Sequence, residues 1–146
     1  MNFWSSIINI DKENIAERRL IAEYRRDKEW KPLRDYFSAV KTGDAEAAEK
    51  LLEAGVSINA VEPTSTLTAL HYAAARQADA VTEMLLARGG IDHLKRDGFG
   101  RLASEHAGRF GENPELADRL RTLEAAQAQE QGITLTYRPR PAGSTL

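Results

Sequence analysis

The residues of this chain that could do chemistry are three histidines, one short acid-and-glycine run and many carboxylates. His71, His93 and His106 include no pair at the i, i+4 spacing that grips zinc from one helix face. Cysteine is absent, which removes thiolate metal sites, thiol nucleophiles and disulfides together. Asp97-Gly98-Phe99-Gly100 has the composition of a phosphate or calcium loop, but the spacing fails both. No Gly-Lys-Ser/Thr follows it, and placing Gly98 on the glycine of a calcium loop puts Lys95 and Ser104 at ligand positions. A turn accounts for the run better. No serine stands in a Gly-x-Ser-x-Gly setting, and the carboxylates fall mainly on charged helical faces, where they serve solubility. The expectation is therefore a protein that is not an enzyme, with no catalytic residue, cofactor or metal. A site assembled from His106, His93 and nearby carboxylates is the remote alternative.

Composition narrows the partners. At 146 residues the chain suits one domain with a real core, and 42% hydrophobic against 29% charged residues is ordinary for a globular protein. Twenty basic and twenty-two acidic residues give a net charge of −2, so no general field recruits nucleic acid or an anionic membrane. The opening Met1-Asn2-Phe3-Trp4 lacks the basic start and apolar run of a signal peptide, and no stretch approaches the roughly 20 apolar residues of a membrane span. A cytoplasmic location is expected.

A 34-residue shift brings Ala39, Ala73 and Ala107 into register, with Gly43, Gln77 and Gly111, and pairs Leu51-Leu52 with Leu85-Leu86 and Gly55 with Gly89. Such a period marks a solenoid of stacked helix pairs. In the second unit Thr68 is suited to cap a helix whose Leu70, Ala73 and Ala74 share one face, and alanine there permits close packing. Val81, Met84, Leu85 and Ala87 mark the next helix, which Gly89-Gly90 can close in a left-handed conformation. Ala47, Ala48, Leu51, Leu52 and Gly55 repeat this in the first unit. Neither pair has enough apolar surface to stand alone, so each must stack on a neighbour.

Thr68-Ala69-Leu70-His71-Tyr72-Ala73-Ala74, with Val81 to Leu86 and Gly89, resembles the ankyrin signature, Ala69 replacing the usual proline. Residues 36–59 resemble a second copy with a degenerate start. A third, about 100–125, matches through Ala107, Gly111, Leu116 and Leu120 and needs one extra residue near Asn113-Pro114, a pair suited to an N-cap followed by a first-turn proline. The resemblance implies an all-α ankyrin-repeat solenoid of about three helix-turn-helix units, small, stand-alone and of bacterial type. It also gives His71 a structural role, holding the turn by hydrogen bonds. Gln77 stands where such units turn through glycine; a left-handed non-glycine residue costs roughly 1–2 kcal/mol, so a turn of different shape is expected there.

Solenoid ends need covers. Residues 1–35 are expected to form an N-terminal capping region, with Asp11 as N-cap and Ile15, Ala16, Leu20, Ile21 and Tyr24 as its apolar stripe. Trp30, Leu33, Phe37 and Val40 continue the packing past a bend at Pro32, which disfavours helix at Lys31. The repeat domain spans 36–132, its last helix stopping at Gly132, and 133–146 form a tail. Ile133 to Tyr137 alternate like a strand without a partner, and the Arg-Pro segment beyond is expected to be mobile.

In ankyrin-like stacks the hairpins and the outward positions of the first helices form a concave, protein-binding surface. The register nominates Ser38, Lys41 and Thr42, then Tyr72, Ala75 and Arg76, then His106, Arg109 and Phe110, with Phe99 near a hairpin tip. Partner binding is expected from Tyr72, Arg76, Arg109, His106, Lys41, Phe99 and Phe110, since aromatic residues and arginine dominate binding hot spots. For His106 the competing reading is a plain exposed imidazole, and for Phe110 a place in the C-terminal core. The loop at 60–66 is one residue longer than usual, which fits either a recognition finger or a tolerated insertion. The implied function is non-catalytic binding of another protein, with an acidic or mixed surface, by a monomeric scaffold. Immunity against a cognate toxin is an alternative, as is an oligomer stacking through an uncapped end.

Overall fold

The computed structural model of the chain describes residues 18, 19, 22 and 30–137, and the chain divides into two compact units, 1–32 and 33–146. Of the first unit, Arg18, Arg19 and Ala22 are helical and exposed. The expected N-cap Asp11 and the whole apolar stripe, Ile15, Ala16, Leu20, Ile21 and Tyr24, lie outside the described residues, as does the Arg-Pro segment after Tyr137.

The described residues form helices and no strand: α1 (residues 30–42), α2 (Ala45–Glu53), α3 (Ala69–Ala75), α4 (Asp79–Arg88), α5 (Ala103–Arg109) and α6 (Pro114–Gln131). Consecutive pairs are first and second helices of three units, and α3 packs on α4 and α5, α2 on α4, and α5 on α6. Lys31, where Pro32 was expected to disfavour helix, is helical, as is Pro32 itself. The proline's cost falls on one residue, whereas α1 buries Tyr36, Phe37, Ala39 and Val40 on its apolar face.

Helix starts follow the sequence signals. Asp44 accepts the Ala47 amide, Thr68 the His71 amide and Asn113 the Leu116 amide, with Pro114 in the first turn as expected. Gly89 (φ 75°) closes α4 and Gly132 (φ 67°) closes α6 in the positive-φ region. The alanines expected to allow close packing do so, since Ala48, Ala73, Ala74 and Ala107 are fully buried.

The turn at Gln77 overturns its expectation. Gln77 takes the left-handed conformation itself (φ 56°), as Gly43 does (φ 78°), and the turn keeps its shape. Asp44 N donates to Ala39 O and Ala78 N to Ala73 O, the same five-residue closure. The Gln77 amide side chain donates to Gly111 O, an interaction glycine could not supply to offset the strain. In the third unit the extra residue appears where the register required it. Asn113 N reaches back to Ala107 O across six residues, and Glu112 (φ 49°) is left-handed in place of Gly111. Gly111 is needed for space, because a Cβ there would lie 2.2 Å from Ala74 O.

Amide side chains tie one unit's linker to the next. Asn59 donates to Gly90 O (2.9 Å) and accepts from Asp92 N (2.8 Å), while Gln127 donates to Ile91 O (2.5 Å) and accepts from His93 N (2.8 Å). Glu83 on α4 and Arg119 on α6 form an exposed ion pair.

Close packing of α3 against the α5–α6 turn gives a contrast between two glycines. Gly111→Ala should destabilise the protein by about 1–3 kcal/mol through overpacking. Gly108→Ala, whose Cβ would sit 3.7 Å from the Ala117 methyl inside α5, should be neutral or stabilising by up to about 1 kcal/mol through helix propensity. Urea midpoints of both variants check this, and equal effects would contradict the packing described.

Candidate partner-binding face

The face to consider is built from the inner helices α1, α3 and α5 and from two hairpins, residues 61–68 and 97–101. The first hairpin closes through a Val61–Thr68 bridge, with Thr66 left-handed (φ 65°) at its turn. Asp97 N donates to Arg101 O in the second (3.0 Å). Thr66 Oγ1 accepts from Gly98 N (2.7 Å), so the tips lie side by side.

His71 ties the second unit to the third. Its Nδ1 accepts from Thr68 N (3.1 Å) and lies 2.8 Å from Thr68 Oγ1, so Nε2 carries the proton and donates to Arg101 O (3.1 Å). A second proton on Nδ1 would face the Thr68 N–H. Burial, reinforced by the neighbouring His106, pulls the His71 pKa down to about 4. In the third unit Glu105 occupies the equivalent position, 34 residues on, and its Oε1 accepts from Leu102 N (3.1 Å). A carboxylate there does the imidazole's capping work.

Tyr72 and His106 share a second equivalent position, and the structure corrects the expectation for both. They were expected to face a partner, yet Tyr72 is 9% exposed and His106 3%. Each is held by an acid of its own hairpin. Tyr72 Oη donates to Glu62 Oε1 (2.7 Å), and His106 Nε2 donates to Asp97 Oδ2 (2.8 Å). Glu62 also takes Lys41 Nζ at 2.7 Å on its other oxygen, and Asp97 Oδ1 accepts the amides of Phe99 and Arg101, both at 2.9 Å. Burial opposes both charges, but these donors outweigh it and hold both carboxyls below their usual range. Burial also lowers the His106 pKa against the pull of Asp97, so at neutral pH the pair is a carboxylate accepting from a neutral imidazole. Its Nδ1 is buried without a hydrogen-bond partner. The loop at 60–66 is thus anchored inward through Glu62.

The remaining nominated residues lie at the surface. Arg76 is exposed, lies 5.9 Å from the Tyr72 ring and donates to Lys41 O (3.4 Å). Lys41 Nζ sits 4.9 Å over the same ring. Phe99 is 65% and Phe110 47% exposed, which removes Phe110 from the core, and Arg109 is exposed 5.6 Å from the Phe110 ring. Arg101, which sequence reasoning passed over, joins the two phenylalanines, its guanidinium 5.1 Å from one ring and 5.2 Å from the other. The structure therefore gathers two clusters, Lys41–Tyr72–Arg76 and Phe99–Arg101–Phe110–Arg109, with His106 beneath the second at 5.3 Å from Phe110.

His93 sits apart, beside a cleft of about 420 Å³ between α4 and α6, where Glu83 and Arg119 neutralise each other. It does not join His106, as the remote enzymatic alternative required. Among the described residues no group of three or more His, Asp or Glu is arranged to hold a metal ion, and no helix is long and apolar enough to cross a membrane. A buried carboxylate also escaped sequence reasoning. Glu124 accepts from Ser104 N (3.2 Å), Ser104 Oγ (2.6 Å) and Tyr137 Oη (3.2 Å), and burial raises its pKa. Residues 133–137 form no strand but fold back to this group, Arg96 also reaching Thr136 O.

Compared with known proteins, residues 36–86 match a family model described as ankyrin repeats (many copies). No curated protein matches the chain.

The two buried histidines make stability pH-dependent with a defined sign. Both bind protons more readily unfolded, at the ordinary 6.5, than folded, so their contribution is complete above that value and is lost as pH falls below it, for His71 down to about 4. His71 alone should account for roughly 3 kcal/mol across that window. Glu124, raised, works in the opposite direction. Ring-resolved NMR titration should give His71 a midpoint near 4; an ordinary midpoint in a still-folded chain would refute the capping geometry.

Proposed function

The chain is an ankyrin-repeat protein, and from that premise we propose that it is a non-catalytic binding module that engages another protein through the face formed by α1, α3, α5 and the two hairpins. Ankyrin repeats are generally protein–protein interaction modules, which sets the class of activity but not the partner. One observation carries the choice of face. Phe99 and Phe110 are two of four large hydrophobic residues left exposed in the described chain, and both stack on Arg101. Rings and guanidinium ordered against one another before encounter lose little entropy on binding, which is how a rigid scaffold gains affinity.

The surface set differs from the one read from sequence. Phe99, Arg101, Arg109, Phe110 and Arg76 present side chains to a partner, with Lys41 at the edge. Tyr72 and His106 support them from below and fix the hairpins. Residues in the first group should tolerate substitution without loss of fold, whereas those in the second should not.

Full-length protein immobilised and exposed to its native lysate, with captured proteins cross-linked and mapped by mass spectrometry, tests this reading. A Phe99→Ala/Phe110→Ala variant should lose the captured partner by tenfold or more, as removal of hot-spot rings does, at an unchanged melting temperature. Capture that survives the double substitution, or cross-links confined to α2, α4 or α6, would move the site off this face.

A further inference from the structure

Most described cations on this molecule that meet a carboxylate do so in pairs that complete each other: Lys41 with Glu62, Lys50 with Glu46, Arg96 with Glu105 and Arg119 with Glu83. Other described cations, among them Lys31, Arg34, Arg88, Lys95 and Arg121, meet no carboxylate; what sets Arg76, Arg101 and Arg109 apart is that they gather on the face described above. Among the described residues none of the three has a carboxylate within salt-bridge distance. Each lies instead over a ring, Arg76 on Tyr72, Arg101 on Phe99 and Phe110, and Arg109 on Phe110. Arg101 Nε is buried and has no hydrogen-bond partner among the described residues, so the donors Arg101 can offer outward are those of its terminal nitrogens.

Three acids of the face are already engaged. Glu62 is taken by Lys41 and Tyr72, Asp97 by His106 and two backbone amides, and Glu105 by the Leu102 amide and Arg96. Within the face each guanidinium carbon lies 5.1–5.9 Å from a ring centroid, and apart from the Arg76 bond to Lys41 O no acceptor among the described residues takes their N–H donors. A stacked guanidinium presents a planar fork, and the acceptor that fits a fork in two parallel hydrogen bonds is a carboxylate or a phosphate. A nucleic-acid backbone would meet three such groups on a chain of net charge −2, too few for the counterion release that drives its binding. A protein segment needs only local matching, and its apolar side chains would cover the two exposed phenylalanines.

Resting on the interface reading above, we propose that the partner presents an acidic segment, its aspartate or glutamate carboxylates received by Arg76, Arg101 and Arg109 and its intervening apolar side chains by Phe99 and Phe110. The arginines act as preordered forks, and the rings serve both as their supports and as the apolar part of the site.

The test is fluorescence anisotropy of a labelled peptide of alternating glutamate and leucine titrated with the full-length protein, beside the same peptide with glutamine for glutamate and a labelled single-stranded oligonucleotide. The glutamate peptide should bind about tenfold or more tighter than the glutamine peptide and weaken as salt rises. Arg76→Gln/Arg109→Gln, both at exposed positions, should weaken it about tenfold for each guanidinium removed, with the circular dichroism melt unchanged. Arg101→Lys, which keeps the charge but not the fork, should weaken it as well. Equal binding of the two peptides, binding indifferent to these substitutions, or tighter binding of the oligonucleotide at the same residues would each overturn the proposal. If the glutamate peptide fails while a captured partner still cross-links beside Phe99 and Phe110, the interface stands and its acidic chemistry falls. If the cross-links leave this face, both fall.

Discussion

The His71 imidazole joins the second and third units at their junction, beside the Gln77–Gly111 and Gly98–Thr66 hydrogen bonds. His71 closes the start of its own helix by accepting from Thr68 and reaches the next hairpin by donating to Arg101 O, and both bonds exist only while the ring is neutral with its proton on Nε2. Helix pairs of this size bury too little apolar surface to be stable alone, so their stability is largely the stability of the junction. At the junction of α3 with α5 the apolar contribution comes mainly from alanines, which bring backbones close but add little area each. A directed bond that depends on register is then worth more than its net energy, because a slipped stack would leave a buried N–H and a buried carbonyl unpaired.

Around that junction the two hairpins solve one problem twice. A hairpin projecting from a helical stack has few contacts of its own, and here an acid in each is hydrogen-bonded to a ring on the inner helix, Glu62 to Tyr72 and Asp97 to His106. The ring positions are 34 residues apart and the acids 35, the difference being the extra residue in the first hairpin. That loop is therefore an insertion absorbed without changing the anchor. The position at which sequence reasoning placed recognition is used at Tyr72 and His106 to orient the hairpins. Binding groups are displaced outward to the neighbours, Arg101 beside the hairpin and Arg109 and Phe110 at the end of α5.

The repeat and its boundaries were legible because they depend on local rules. Thr68, Asn113-Pro114, Gly89 and Gly132 act within one helix turn, and the buried alanines recur at a fixed period. The family match over residues 36–86 covers the first two units, and the same local rules extend past it to Asn113-Pro114 and Gly132. What was not legible depends on partners distant in sequence. Gln77 can be left-handed because Gly111 O lies beside its side chain, and nothing near Gln77 announces that. The burial of His106 depends on where the Asp97 carboxylate points, and that run offered only the negative finding that it is neither a phosphate nor a calcium loop. Glu124 did leave a trace. It continues the stripe Leu116, Leu120, Ala128 at four-residue intervals, all buried, and a lone carboxylate on an apolar face signals a specific partner, here Ser104.

This division of labour explains why the exposed groups of the face can be so polar without unsettling the fold. Glu62 and Asp97 are committed to the hairpin anchors, where backbone amides, a phenol, an imidazole and one lysine satisfy them. Were Glu62 or Asp97 to swing toward an arginine, it would leave a buried ring donor unpaired at a cost of about 1–3 kcal/mol and would gain an exposed ion pair worth less. The anchors therefore keep Glu62 and Asp97 from the arginines, so the hydrogen bonds that orient the hairpins also leave the face its ring-backed positive groups.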